Sequence, residues 1–178
     1  LAPISGNKTA CTGQVIPNLT VTGSNVKWYT DAALLNQVST NTVFATGQTA
    51  AGNYTYFVTQ TNANNCVSQA TSVVLSINAT PNTPVISGNL AYCEGDVIGN
   101  LSATGSNIKW YNNSTLTNFY ANGNDITPMS STAVYYAIST VNNCTSQTAS
   151  VTVIINALPM VSISGLNNSY FVSDNAVT

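Results

Sequence analysis

Thr22-Gly23-Ser24-Asn25-Val26-Lys27-Trp28-Tyr29 is followed, 82 positions on, by Thr104-Gly105-Ser106-Asn107-Ile108-Lys109-Trp110-Tyr111. Each stretch reads the same way. Gly-Ser-Asn makes a turn, because glycine and asparagine tolerate backbone angles that other residues avoid. Alternation then puts Val26 and Trp28 on one face, Lys27 and Tyr29 on the other, which is the period of a half-buried strand. Working outward, Ile4-Ser5-Gly6-Asn7 recurs as Ile86-Ser87-Gly88-Asn89, and Asn65-Cys66-Val67-Ser68-Gln69 recurs as Asn143-Cys144-Thr145-Ser146-Gln147. The second pair is 78 apart rather than 82, so about four residues are lost from a loop between the copies. Pro81, Pro84 and Pro159 precede new units, where a residue without an N–H ends a sheet and stiffens a junction. A repeat of this length is one structural unit copied along a chain. The expected organisation is module one over 1–80, module two over 81–158, and the first strand or strands of a third over 159–178, beginning with Ile163-Ser164-Gly165.

Each copy carries roughly seven short alternating runs between Gly, Asn and Ser turns. In module one the inward rows are Leu19 and Val21; Val26 and Trp28; Tyr54, Tyr56 and Val58; Val73, Leu75 and Ile77. In module two they are Leu101 and Ala103; Ile108 and Trp110; Val134, Tyr136 and Ile138; Val151, Val153 and Ile155. About 80 residues with one tryptophan on the third strand match an immunoglobulin-like sandwich. The expected fold is therefore all-β, tandem Ig-like β-sandwiches arranged head to tail. Trp28, Trp110, Tyr56 and Tyr136 are its expected core. A rival role for the tryptophans, as exposed sugar platforms, fits poorly with their place inside an alternating row.

The composition removes whole classes of function. Of 178 residues only 4% are charged, with 3 Lys, 5 acids, no histidine and no arginine. Asn, Thr and Ser supply about 40% of the chain, against an ordinary charged fraction of about a quarter. Nucleic acid is excluded as a partner, because phosphate neutralisation needs clustered Lys and Arg. A coiled coil lacks the charges for its flanking positions. No run of about 18 apolar residues offers a membrane-inserting helix. A surface of hydroxyls and amides is insensitive to salt and pH, which suits an uncontrolled medium. No signal peptide is visible and Leu1 stands within linker-like sequence, so the chain is expected to be an excerpt of a longer polypeptide.

Candidates for chemistry are few. Without histidine no ordinary nucleophile–base pair forms. Glu94 and Asp96 flank Gly95 like half of a calcium site, but module one has Thr12 and Gln14 there, and calcium needs more converging oxygens. A glycosidase pair of carboxylates has no support, and an isopeptide bond from Lys8, Lys27 or Lys109 lacks a buried carboxylate to catalyse it. Asn18, Asn53, Asn78 and Asn100 lie in glycosylation sequons, which an Asn- and Thr-rich chain acquires by chance. Neither catalysis, nor a cofactor, nor a bound metal is expected.

The four cysteines, Cys11, Cys66, Cys93 and Cys144, contain no Cys-x-x-Cys pair, and disulfides are the natural reading. Two pairings stand. One closes each module on itself, Cys11–Cys66 and Cys93–Cys144. In a regular sandwich, however, Cys11 lies at the far end of module one and Cys66 in the turn between its last two strands, at the near end. Eight strand residues separate the ends by about 26 Å, while a disulfide needs Cα atoms within about 7 Å. The second pairing joins Cys11 to Cys144 across the junction, leaving Cys66 for a preceding module and Cys93 for a following one.

With these residues in view, both modules resemble the Ig-like repeats of giant cell-surface adhesins and gliding-motility-associated proteins of Bacteroidota, exported by the type IX secretion system. The shared pattern is Cys-x-Gly (Cys11 to Gly13, Cys93 to Gly95), Leu-x-x-x-Gly (Leu19 to Gly23, Leu101 to Gly105), Trp-Tyr (Trp28-Tyr29, Trp110-Tyr111), a tyrosine-bearing strand (Tyr54 and Tyr56, Tyr135-Tyr136) and Cys-x-Ser (Cys66 to Ser68, Cys144 to Ser146). The third unit departs from it: Phe171 stands where a cysteine is expected. The resemblance implies a non-enzymatic, extracellular, cell-surface stalk or adhesin segment, with adhesion or gliding as its setting. Its partners are then neighbouring Ig-like modules of the same chain and, outwardly, a surface polysaccharide or another cell-surface protein. Lys27, Tyr29, Lys109 and Tyr111 are the outward-facing candidates for such contact. The alternative is a carbohydrate-binding module or a spacer beside a secreted polysaccharide-degrading enzyme. An ice-binding surface is weaker, since no regular Thr-x-Thr ladder is evident.

Overall fold

The computed structural model describes residues 1–162, all β-structure and turns with no helix. Residues 163–178 of the expected third unit, with Ile163 and Phe171, lie outside the described residues. Module one contains β1 (Ile4–Ser5), β2 (Lys8–Cys11), β3 (Leu19–Thr22), β4 (Lys27–Tyr29), β5 (Gln37–Ser39), β6 (Val43–Phe44), β7 (Gly52–Thr59) and β8 (Thr71–Asn78). Its sheets have the orders β1-β3-β6 and β2-β8-β7-β4-β5. Module two contains β9 (Ile86–Ser87), β10 (Ala91–Cys93), β11 (Leu101–Ala103), β12 (Lys109–Tyr111), β13 (Phe119–Asn122), β14 (Asp125–Ile126), β15 (Ala133–Ile138), β16 (Thr140–Val141), β17 (Cys144–Thr145) and β18 (Ala149–Asn156). It repeats the arrangement as β14-β11-β9 and β10-β18-β15-β12-β13, with β16 and β17 as a separate two-stranded extension.

In both copies the first segment of chain belongs to two sheets. It pairs antiparallel in the small sheet (β1 with β3, β9 with β11), then crosses to run parallel to the last strand of the large sheet (β2 with β8, β10 with β18). The crossing lies at Gly6-Asn7 and Gly88-Asn89. At Gly88, φ is +141° and a Cβ would stand 2.8 Å from the Asn100 carbonyl oxygen, so glycine alone fits. The parallel pairing carries Cys11 and Cys93 to the far end of their modules, opposite Asn78 and Asn156.

Two separate cores lie between the sheets. One holds Leu19, Val21, Val26, Trp28, Tyr56, Val58, Val73, Leu75 and Ile77. The other holds Leu101, Ala103, Ile108, Trp110, Tyr135, Ala137 and Val153 with Tyr92 and Ile126. Both indoles are fully buried, and each Nε1–H donates to a carbonyl 2.9 Å away, Asn41 for Trp28 and Gly123 for Trp110. The bound N–H removes the desolvation cost of burying an indole. Both strands carry a register irregularity at the Trp-Tyr step.

One core expectation is corrected. Tyr136 is half-buried on the outer face, and Tyr135 takes the core position, fully buried. The registers Trp28↔Val58 and Trp110↔Ala137 make Tyr135 the counterpart of Tyr56, and Ala137 that of Val58. The row Val134-Tyr136-Ile138 is thus displaced by one residue from the inward row. In a period-two structure such a slip exchanges the faces. Two adjacent tyrosines, followed by an alanine too small to signal burial, concealed the phase.

The same registers pair Lys27 with Thr59 and Lys109 with Ile138. Thr59 is buried, yet its hydroxyl has no hydrogen-bond partner. An unsatisfied buried hydroxyl is costly, and module two already has an aliphatic group there. Thr59→Val, which keeps the shape, is expected to stabilise module one by about 1 kcal/mol. Differential scanning calorimetry should show its transition rise by roughly 4–8 °C; an unchanged or lowered transition would mean the hydroxyl is satisfied in solution.

Candidate functional site at the module junction

The described residues hold no grouping of three or more His, Cys, Asp or Glu that could bind a metal ion, and Asp31 and Asp96 serve turns. Both carboxylate oxygens of Asp31 accept backbone N–H groups, from Leu35 at 3.1 Å and Asn36 at 2.8 Å. Those bonds, that to Leu35 foremost, hold its carboxyl below the usual range by favouring the ionised form. Asn113 performs the same task for Thr117 and Asn118 in module two. Asp96 accepts the Cys93 N–H at 2.7 Å, and Asp125 accepts the hydroxyl of Ser102. Glu94 and Asp96 stand in the turn at the end of β10.

The distinctive chemistry lies between the modules. Cys11 and Cys144 form a disulfide, with S–S 2.00 Å and Cα atoms 5.7 Å apart, joining positions 133 residues distant in sequence. The two local structures that present these sulfurs are built independently. On the module-one side, β2 ends at Cys11 beside Asn78, and the chain turns through Gly13 at φ +79°. Thr12 then fastens the turn to the start of the linker: its N–H donates to Asn78 O at 2.9 Å, its Oγ1 accepts the Thr80 N–H at 2.9 Å, and its carbonyl accepts the Thr80 hydroxyl at 2.6 Å. On the module-two side, Val141 pairs with Cys144 across Asn142-Asn143. Both asparagines have positive φ, 48° and 63°, the backbone of a tight two-residue hairpin whose twist matches its strands. The Asn78 side-chain amide donates across the junction to Asn142 O at 3.1 Å.

Of the two pairings open from sequence, the one across the junction is present. Closing each module on itself would require bridging opposite ends of a sandwich. Cys66 and Cys93 are free thiols, both exposed. Trp28, Trp110 and Tyr56 lie in the cores, Tyr136 outside. Lys27 and Lys109 are exposed, while Tyr29 and Tyr111 are half-buried on the outer face of the large sheets. The roles of Thr12, Asn78, Thr80 and Asn142 in completing the junction are not signalled by the sequence pattern. The Asn142-Asn143 dipeptide just before Cys144 was the available signal, since paired asparagines favour this hairpin.

Comparison with known proteins bears on the fold and the kind of module. No curated protein matches the chain. Among solved structures it resembles the fibronectin(III)-like modules of Clostridium thermocellum CbhA, at 14% identity and TM-score 0.47, over 90% of this chain and 96% of that one. It also resembles extracellular domains 3–5 of Drosophila OTK, at 11% identity and TM-score 0.51, over 88% of this chain and 61% of that one. The titin I-band fragment I67–I69 matches at 12% identity and TM-score 0.42, over 88% of this chain and 67% of that one. At these identities the likeness concerns fold alone. The family model described as the Ig-like domain associated with CHU_C matches twice, over residues 1–78 and 81–157. Nearly filled by two consecutive copies of that domain, the chain belongs to the CHU_C-associated Ig-like family.

Proposed function

We propose that this chain is a non-enzymatic spacer segment of an extracellular stalk or adhesin, which holds a more distal part of its protein away from the cell. The observation that carries the proposal is the disulfide between modules. It fixes the joint that would otherwise be the most flexible point of a tandem array, where neighbouring repeats meet. A disulfide persists in an oxidising, extracytoplasmic compartment, and membership of an Ig-like family accords with a structural or adhesive module. The almost uncharged exterior supports the same role, as it changes little with salt or pH. The test uses the producing cells and an antibody against this segment. Intact cells should be labelled, and brief external protease should remove the epitope. Labelling only after permeabilisation would overturn the proposal.

A second role has an observation in its favour. With Tyr136 outside the core, it stands opposite Tyr111 in register, and Tyr111 packs edge-on against Phe119 with ring centroids 6.0 Å apart. Phe119 is 51% exposed. This gives module two an aromatic row across a sheet face that also carries the exposed Lys109, and aromatic rows are the kind of platform on which sugar rings stack. Module one has Tyr29 and Phe57 there, but Gln37 in place of Phe119. In affinity electrophoresis through soluble polysaccharides, a carbohydrate binder would be retarded, and Tyr111→Ala would lose the retardation. Unretarded migration through every polysaccharide tested would remove this reading.

A further inference from the structure

The two outer ends of this module pair repeat the two halves of the junction inside it. At the far end of module two, β10 runs parallel to β18 with Cys93 opposite Asn156, as Cys11 stands opposite Asn78. Glu94 N–H donates to Asn156 O at 2.8 Å where Thr12 N–H donates to Asn78 O at 2.9 Å, and Gly95 turns at φ +90° where Gly13 turns at +79°. The Asn78 amide reaches across to module two, whereas the Asn156 amide turns back to Tyr92 O at 3.2 Å. At the near end of module one, Gln60 N–H donates to Ser68 Oγ at 3.0 Å, as Ser139 N–H donates to Ser146 Oγ at 3.0 Å, and Thr61 N–H meets Ser24 O as Thr140 N–H meets Ser106 O. The same frame therefore presents Cys66 where module two presents Cys144, on a hairpin one residue longer.

We propose that these ends are complementary docking faces for another module of this kind, sealed by a disulfide between Cys93 and the Cys66-type cysteine of the module that directly follows, and between Cys66 and the Cys93-type cysteine of the module that directly precedes. The inference rests on the array reading above, but it concerns thiols that reading does not use. The interface is heterologous: the face at one end fits the face at the other and not itself, so repetition extends a line rather than closing a dimer. The contact it repeats is the one formed between β2 and the β16–β17 hairpin, in which the groups around the sulfurs already match. Closure needs a disulfide oxidant such as oxidised glutathione. One thiolate takes a glutathione by exchange and releases the first reduced glutathione. The second thiolate then attacks that sulfur and expels the second, so two thiols lose two protons and two electrons to one oxidised glutathione.

A second copy of this chain carries both faces and serves as the probe. Equal amounts of isotope-labelled and unlabelled chain, with Cys11–Cys144 intact, are incubated with a glutathione redox buffer and digested without reduction. Cys66–Cys93 peptides joining labelled to unlabelled chains should exceed each symmetric pairing by about tenfold, which is fivefold over the statistical factor of two and equivalent to about 1 kcal/mol of facial preference. Cys66→Ser and Cys93→Ser chains should each remain monomeric alone and join when mixed. A mixed link only twice as frequent as each symmetric one, dominant Cys66–Cys66 or Cys93–Cys93 links, or glutathione adducts alone would overturn the proposal. Any of these would leave the surface-labelling test of the stalk role unaffected.

Discussion

Stretched between its two ends with Cys11–Cys144 closed, the chain yields no unfolding step of module size, and after reduction it yields two. A disulfide is a covalent shortcut. Tension entering at Leu1 passes along β1 and β2 to Cys11, crosses to Cys144, and leaves through β17 and β18. The chain between them, a separation of 133 positions, carries none of it, although it contains both tryptophans and most of both cores. The segments that do carry tension are already extended strands, so straightening them adds little. Releasing the bridge returns those positions to the extensible path, at most about 3.6 Å each or roughly 480 Å in total. Single-molecule force spectroscopy should therefore record, for the reduced protein or for Cys11→Ser, two steps on the order of 250 Å, each one module of about 78 residues at the same spacing per residue. Module-sized steps under oxidising conditions would show that the bridge does not lie on the force path. Were Cys66 and Cys93 bridged outward as inferred above, each covalent path would run from Cys66 along β8, through the linker and β9 to Cys93, so that successive bridges overlap and every core is bypassed.

What could be read from sequence was whatever the repeat states twice. The fold class, the two tryptophan-centred cores and the turns before Val26 and Ile108 follow from identical residues at constant spacing. The register of β15 does not, because the copies diverge there. Val134-Tyr135-Tyr136-Ala137 satisfies strand propensity in either phase, and only pairing with Trp110 selects one. The disulfide was legible as a geometric conflict, since two sulfurs at opposite ends of a sandwich cannot meet. Its resolution depends on the linker. The hydrogen bonds of Thr12 to Thr80 and of Asn78 to Asn142 tie module one to the linker and to module two, and periodicity within a module does not announce which groups meet across a joint.

The largest stability effect is expected at the indoles, and the bridge should decide its outcome. Truncating a buried tryptophan removes its transfer energy and leaves a cavity, together about 3–5 kcal/mol. A module of 78 residues has about 4–12 kcal/mol to lose, at about 0.05–0.15 kcal/mol per residue. Trp28 also packs against Phe44, with ring centroids 5.6 Å apart, and Phe44 packs edge-on against Tyr56 at 5.2 Å, so Trp28→Ala disrupts an aromatic stack as well as a single site. In the reduced protein, Trp28→Ala should cut the protection of module one's amides by about 10²–10³-fold while module two keeps its slow-exchanging amides, because the two cores share no residue. With Cys11–Cys144 closed and module two folded, unfolded module one is confined to a ring of roughly 70 residues, which raises the free energy of its unfolded state by about 4 kcal/mol in the chain-entropy model. That nearly offsets the lost indole, so the oxidised variant should regain protection in β7 and β8. Hydrogen exchange read by mass spectrometry, on oxidised and reduced samples side by side, resolves the modules. Joint loss of protection in both would refute their independence, and equal protection with and without the bridge would refute the ring closure.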